Sequence, residues 1–224
     1  MDIIEAIRQR KSIRNFKPTP VSKEILTTIL EAAVQSPSAM NTQPWEFMVM
    51  GGEVLEKIRQ VYIEKLRSGE QPCSEHSVVG WTKDSIYRQR QVELAKDLFK
   101  LMDIGREDKE KRQQWLERGF RYFDAPAAII ILTDRALAES APLLDFGAVM
   151  QTICLAALHY GLGTCIEDQG VMYPDVLRKH LNIPDSKRII IAIAIGYPDE
   201  NFPANRLQSG RESVESITTW HGIT

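Results

Sequence analysis

Apolar residues recur at helical spacing in several stretches of the chain, with charged residues between them. Residues 2–9 place Ile3, Ile4 and Ile7 on one side, and Ser22 is a predicted N-cap for a helix that Ser36-Pro37 ends. Further helical stretches lie at 53–66, 85–121, 143–160 and 173–181. The stretch 143–160 is apolar almost all round, which is typical of a helix buried in a core or in a subunit interface.

Three short apolar runs predict buried strands. They are Trp45–Met50, Ala125–Thr133 and Lys187–Tyr197. Residues 67–84 are polar and read as a loop or mobile segment, and 85–121 are dense in charge. Helices and strands that alternate without repeats predict a single α+β or α/β domain with a helical insert at about 67–121.

Composition excludes several classes of protein. The 224 residues carry 28 Lys and Arg against 30 Asp and Glu, a formal charge of −2. This balance argues against a general nucleic-acid binder and a polybasic membrane protein. The first residues are charged and the apolar runs are short, so we expect no signal peptide, no membrane-spanning helix and a cytoplasmic location. Three scattered cysteines and four scattered histidines show no metal-ligand spacing, so no metal is expected.

The strongest local charge lies at residues 6–23, which hold six cations and no carboxylate. In an extended backbone Arg10, Ser12 and Arg14 share one side. Two guanidinium groups and a hydroxyl suit a phosphate and a neighbouring carbonyl edge. The alternative is a solvated basic turn, which the charge alone does not exclude.

Three other segments are candidate binding sites. The loop 36–45 brackets hydroxyl and amide residues with two prolines, and 161–169 holds a glycine-bracketed edge that backbone N–H groups can present to a flat ligand. Asn205-Arg206 and Ser209-Gly210-Arg211 place more cations in the tail. Hydrolase and zinc-protease motifs are absent from the sequence.

Together these motifs resemble the nitroreductase family of FMN-dependent oxidoreductases. The resemblance rests on five segments in register from residue 3 to residue 222: Arg10–Phe16, Pro37–Trp45, Gly161–Cys165, Gly196-Tyr197-Pro198, and Gly210-Arg211-Glu212 before Trp220-His221-Gly222. It implies an α+β, nitroreductase-like fold in which helices flank a central mixed sheet. It also implies one domain over 1–224, an intertwined homodimer with two FMN at the interface, and a C-terminal tail, residues 198–224, that crosses to the partner.

The resemblance also implies roles for individual residues. Arg10, Ser12 and Arg211 look like the clamp for the FMN phosphate, with Lys11 in the same motif and Ser209 where some relatives have a second cation. Arg14 looks like a ligand of the flavin's polar pyrimidine edge. Pro37, Ser38 and Asn41 look like contacts from the other subunit. The segment Ile166, Glu167, Asp168 and Gln169 would run past the central ring, where a backbone N–H faces flavin N5, and the two acids would add negative charge there.

The expected activity is a ping-pong transfer of hydride from NAD(P)H to FMN and on to a small electron acceptor. Nitroaromatics, including nitrobenzoates, and quinones are the expected acceptors, and no side chain is expected to act as nucleophile or base, because flavin N5 carries the chemistry. Tyr87, Arg88 and Arg90 of the insert are candidate contacts to an acidic acceptor. The alternatives are a non-catalytic FMN-binding sensor or interaction protein and, within the same fold, a reductive dehalogenase.

Overall fold

The computed structural model describes residues 2–76 and 80–223. Its helices are α1 (Ile3–Gln9), α2 (Lys23–Ala33), α3 (Gly52–Ser68), α4 (Ile86–Leu101), α5 (Lys109–Phe120), α6 (Leu143–His159), α7 (Pro174–Leu181) and α8 (Val214–Ile217). Its strands are β1 (Glu46–Gly51), β2 (Ala127–Asp134), β3 (Gly163–Glu167) and β4 (Lys187–Gly196). The expected single domain and insert include residues 77–79, which lie outside the described residues.

The four strands form one sheet in the order β1-β2-β4-β3. Every pair of neighbouring strands is antiparallel, so the expectation of a mixed sheet is wrong for the described strands. β2 and β3 do run in the same direction and α6 connects them, but β4 lies between them and pairs with both. A parallel contact occurs only as an isolated bridge between Ser12 and Thr164 in the described part.

Alternate side chains of the sheet fill two separate cores. Ala128, Ile130 and Leu132 of β2 pack with residues of α3 and α7 on one face. Ala127, Ile129 and Ile131 pack with α2 and α6 on the other face. This is the period-two alternation of a sheet covered on both faces, and it explains why the β2 sequence is continuously apolar.

Most predicted elements are confirmed, including the Ser22 N-cap, whose Oγ accepts a hydrogen bond from Ile25 N at 3.3 Å. The predicted charged stretch 85–121 is two helices, α4 and α5, with a break between them. The short strand β3 is an addition, because its five residues follow a glycine turn and looked like a binding loop.

The C-terminal tail is more ordered than its sequence suggests. Ala204 and Leu207 are buried against Leu98 of α4. Residues up to Leu207 therefore pack on their own chain, and Glu212 still pairs with Arg90 of α4 at 2.7 Å. The expected crossing of the tail to a partner stays a prediction, and the residues after Glu212 are the part left for it.

Candidate functional site

The basic segment lies along the outer edge of the sheet. Ser12 bridges Thr164 of β3, and Ile13 N donates to Thr164 O at 2.9 Å. In a strand, the backbone N–H and C=O of one residue point to the same edge, and those of the residue two positions on point the same way. Because Thr164 O points to the outer edge, the backbone groups of Ile166 face that edge too. Because the bridge is parallel, the fold places the cationic segment beside β3, next to the start of the predicted flavin-facing segment 166–169.

Arg10 and Lys11 line a cavity of about 370 Å³ together with Arg206. Thr164 of β3 and Leu158, near the end of α6, also line this cavity. Three cations against one carboxylate, that of Glu200, in the same cavity favour an anion there. The sequence pointed to Arg206 only as a member of a cationic pair in the tail, without placing it beside Arg10.

Arg14 has few contacts of its own. Its Nη1 donates to Ser12 O at 3.4 Å, a long hydrogen bond, and the side chain is half-buried. The guanidinium is therefore available to a ligand, while its backbone is held by other side chains, described below.

Glu167 is a buried carboxyl at the end of β3. It is 7% exposed, and in the described part of the chain neither of its carboxyl oxygens has a hydrogen-bond partner. Burial raises the pKa of Glu167 well above its ordinary value, and the positive charges of Arg59 and Arg14 only partly oppose this. Burial thus opposes the negative charge expected at this residue, and the effect of Glu167 on the flavin stays a prediction.

Asp168 and Gln169, which follow Glu167 in the chain, have different surroundings. Burial also raises the pKa of Asp168, and the nearby His76 opposes the shift. Gln169 turns toward the insert, where its Nε2 donates to Leu116 O at 3.4 Å and its amide fills the space that a side chain on Gly119 would need. The 166–169 segment thus contacts α5 as well as the sheet.

The loop with Pro37, Ser38 and Asn41 is held in a strained backbone. Ser38 Oγ accepts a hydrogen bond from Gln43 N at 2.9 Å, and Ala39 N donates to Asp145 Oδ1 at 3.2 Å. Met40, Asn41 and Gln43 all have positive φ, which is costly for residues other than glycine and is frequent at functional sites.

This loop is far from Arg10 within one chain. Asp145 lies in the first turn of α6 and Leu158 in its last turn, and they contact the loop and the Arg10 cavity, respectively. At 1.5 Å per residue, the thirteen steps from one to the other span about 20 Å. Ser36, at the start of the loop, instead contacts Thr152 in the middle of α6, with their hydroxyl oxygens 2.7 Å apart. The part of the loop around Ala39 is therefore distant from the Arg10 cavity of the same chain, whereas the start of the loop is closer.

Ser209 and Arg211 lie beside α4 in this chain. Arg211 Nη1 donates to Ser209 O at 3.0 Å and to Ser209 Oγ at 2.6 Å. Both residues line a cavity with Arg90, whose Nη2 is 2.7 Å from Glu212 Oε1. Arg10 and Arg211 thus line different cavities, and the role of Arg211 in a phosphate clamp stays a prediction.

The three candidate substrate residues do not form one site. Arg88 and Arg90 are two positions apart on α4, about 200° around the helix, and they line different grooves. Arg88 Nη1 donates to Gln91 Oε1 at 2.6 Å, and the Tyr87 ring lies 5.2 Å from that of Trp81. Arg88 shares its groove with further cations: Lys96, Lys100, Arg106 and Arg112.

Among residues 2–76 and 80–223, no group of three or more acidic, histidine or cysteine side chains is arranged to hold a metal ion. In the same residues, no helix has the length and apolar character needed to cross a membrane.

Comparison with known proteins places these features in context. Residues 7–197 match the model of the nitroreductase family. The chain is 34% identical over 219 residues to the nitrobenzene nitroreductase of Ectopseudomonas oleovorans, covering 97% of this chain and 96% of the relative. It is 29% identical over 224 residues to the 4-nitrobenzoate reductase of Pseudomonas putida, covering 99% and 96%.

Solved structures agree with the fold. The FMN- and NADPH-dependent nitroreductase NfnB of a Sphigopyxis strain superposes with a TM-score of 0.94 at 26% identity over the whole of both chains. The NfnB of Mycobacterium smegmatis, solved with NADPH, has a TM-score of 0.90 at 21% identity, covering 98% of this chain and all of that one, a likeness of fold.

Proposed function

The chain belongs to the nitroreductase family, and from this premise we propose that it is an FMN-dependent enzyme that reduces nitroaromatic compounds with NADH or NADPH. The observation that carries the proposal is similarity over nearly the whole chain to proteins named as nitrobenzene and nitrobenzoate reductases. Because it extends over both the basic segment and β3, it includes the residues that would bind the cofactor.

The residues of the site fit FMN. Arg10, Lys11 and Arg206 offer cations for one phosphate, and Ser12, which follows Lys11 in the chain, would add a hydroxyl. The edge of β3 beyond the Ser12 bridge offers backbone N–H groups to a flat ring, with the half-buried Arg14 at the junction. Along the site, the cations come first and the polar backbone edge follows. FMN carries its monophosphate and its ring in the same order.

FMN, when bound, supplies the acceptor and donor of hydride. The chain's own residues bind and orient it and set the local charge. Arg14 favours a reduced flavin that carries negative charge, because a nearby cation stabilises an anion. Burial favours the uncharged form of Glu167, which limits the negative charge that would oppose this effect.

The second part of the proposal is a homodimer with shared sites. The Ser38–Asn41 loop lies about 20 Å from the Arg10 cavity along α6, so it would serve the flavin of the partner subunit. Apolar residues on this side of the molecule are exposed, including Met40 at 97% and Leu144 at 88%. Clustered exposed apolar side chains mark an interaction surface.

The tail would complete the dimer. Val214, Ile217, Trp220 and Ile223 are exposed in one chain. β1 is an edge strand, and beside it lies a largely apolar cavity of about 450 Å³ lined by Val21, Leu26 and Val49, among others. A partner's tail laid in this cavity would cover apolar surface on both chains. Light scattering at low concentration should give twice the mass of one chain, and a folded monomer that retains flavin would refute the shared site.

The activity is tested with the purified protein. Acid should release a flavin that chromatographs as FMN, and release of FAD would contradict the proposal. NADH or NADPH should be consumed steadily only when an acceptor such as nitrobenzene or 4-nitrobenzoate is present. FMN binding without acceptor-dependent turnover would instead indicate a sensor.

A further inference from the structure

The backbone of Arg14 and Asn15 lies between two short bridges. Ser12 bridges Thr164 on one side, and Phe16 bridges Pro198 on the other. Between these bridges Arg14 N and Arg14 O rely on side chains from distant parts of the chain for hydrogen bonds, whereas Asn15 O also accepts one from the backbone N–H of Asp199, at 3.2 Å. Backbone groups that are partly buried need such partners.

Asn205 of the tail supplies one set of bonds. Its Oδ1 accepts from Arg14 N at 2.6 Å, and its Nδ2 donates to Asn15 O and to Asp199 O, both at 2.8 Å. The amide orientation is forced, because Arg14 N can only donate and the two carbonyls can only accept. Asn205 is 4% exposed, so these bonds form away from water.

Arg118 of α5 supplies the other set. Its Nη2 donates to Arg14 O at 3.1 Å and to Asn15 Oδ1 at 2.6 Å. Arg118 is itself fixed by an ion pair with Asp124, at 3.0 Å, and by the Phe202 ring, whose centroid is 4.7 Å from its guanidinium carbon. Asn15 Nδ2 closes the network by donating to Asp199 Oδ2 at 2.8 Å.

We infer that Asn205 and Arg118 are positioning residues that fix the Arg14 backbone from both sides and thereby set where its guanidinium meets the flavin. The N–H of Arg14 is held by the tail and its C=O by the insert. The direction of its side chain therefore depends on both elements. The inference rests on the proposed function, because Arg14 must face the flavin for its position to matter.

A double-mutant cycle on the flavin midpoint potential tests the inference, with the FMN-loaded protein. Arg14→Ala should make the potential more negative. Asn205→Ala should shift it in the same direction by at least half as much, and the double variant should shift no further than Arg14→Ala, since coupled residues are not additive. Asn201→Ala, an exposed asparagine in the same tail, is the matched control and should leave the potential unchanged.

Arg118→Lys provides a second cycle if Asn205→Ala does not fold. Lysine keeps the charge but cannot form the planar arginine's paired contacts, so a smaller shift of the same sign is expected. Additive shifts in the cycle with Arg14 would show that these residues act on the flavin independently of Arg14, and an unchanged potential would assign them to stability alone; either result overturns the inference while leaving the proposed function intact. An Arg14→Ala variant with an unchanged potential would overturn it too. A wild-type protein without FMN would overturn the proposed function as well.

Discussion

At the scale of single residues, Glu167 and Asp168 show how burial separates two identical functional groups. Glu167 lies inside the sheet, and both its oxygens are shielded from solvent, whereas Asp168 is half-buried beside His76. Desolvation penalises the charged form of each, and more strongly for Glu167. A sequence shows two adjacent acids, but only the fold shows that burial favours the protonated form of one more strongly than that of the other.

Replacing Glu167 by Gln should flatten the dependence of stability on pH. Below the ordinary glutamate pKa of 4.5 the carboxyl is neutral in both folded and unfolded chains, so it has no effect. Above that pH the unfolded chain ionises while the folded chain, with its raised pKa, does not, so wild-type stability falls toward the folded pKa. The variant should gain up to about 1.4 kcal/mol per pH unit relative to wild type.

Chemical denaturation of the flavin-free protein between pH 4 and pH 9 measures this difference. Other carboxyl groups, such as Glu117, whose pKa its ion pair with Arg67 lowers, are common to both proteins and cancel in the comparison. Parallel curves for the two proteins would show that Glu167 ionises in the folded state as readily as in the unfolded chain.

Arg10→Ala should weaken FMN binding. A lost charge-assisted contact to a phosphate is worth about 1.5–3 kcal/mol, which is about a tenfold to hundredfold rise in the dissociation constant. Flavin titration followed by fluorescence measures it. Lys17→Ala is the control, because Lys17 is exposed and outside the Arg10 cavity, and equal losses in both variants would indicate only a general effect of charge.

At the scale of elements, the two helices of the insert, α4 and α5, differ in how firmly they are held to the rest of the chain. α5 is anchored: Glu117 pairs with Arg67 at 2.7 Å, and Phe120 is buried among the aromatic side chains near α3. α4 contacts the rest of the chain through Leu98 against Ala204 and Leu207. Elements with few buried contacts open at low free energy, so we expect α4 to be the part of the insert that opens to admit a substrate.

Arg88→Ala should reduce the preference for acidic acceptors. Arg88 is exposed in a groove rich in cations, whereas Arg90 is already paired with Glu212. We expect KM for 4-nitrobenzoate to rise about tenfold, or about 1.4 kcal/mol for one charged contact, with KM for nitrobenzene unchanged. Steady-state kinetics with both acceptors measure these KM values. Arg90→Ala is the matched control, because Arg90 is already paired with Glu212. An equal loss with both acceptors would assign Arg88 to the fold.

The sequence predicted the long helices and strands better than it predicted the geometry of the site. The strand at 187–197 and the helix at 143–160 follow from apolar period and length alone. β3 was missed because five residues with glycine and threonine carry little period. Asn205 and Arg118 could not be placed, since their partners Arg14 and Asn15 are about one hundred residues or more away and only the fold joins them.

At the scale of the whole molecule, α6 sets the distance between two halves of a site. Its first turn holds the strained loop through Asp145, and its last turn reaches the Arg10 cavity through Leu158. The length of this helix supports the proposed dimer, in which one flavin would use the basic segment of one subunit and the loop of the other. In a twofold dimer this arrangement occurs twice, because each chain presents the same surface to its partner.

A mixed dimer of Arg10→Ala and Asn41→Asp subunits should therefore bind one FMN with wild-type affinity. Aspartate keeps the tolerance for the positive φ of residue 41 but loses the amide donor and adds a charge. Each variant alone has both sites damaged, whereas in the mixed dimer one site collects both substitutions and the other has none. Subunits that carry different tags allow the mixed dimer to be purified. Its titration with FMN then gives the number of tight sites per dimer. If Arg10 and Asn41 of the same chain served one flavin, every site in the mixed dimer would carry one substitution, and no tight site would be found.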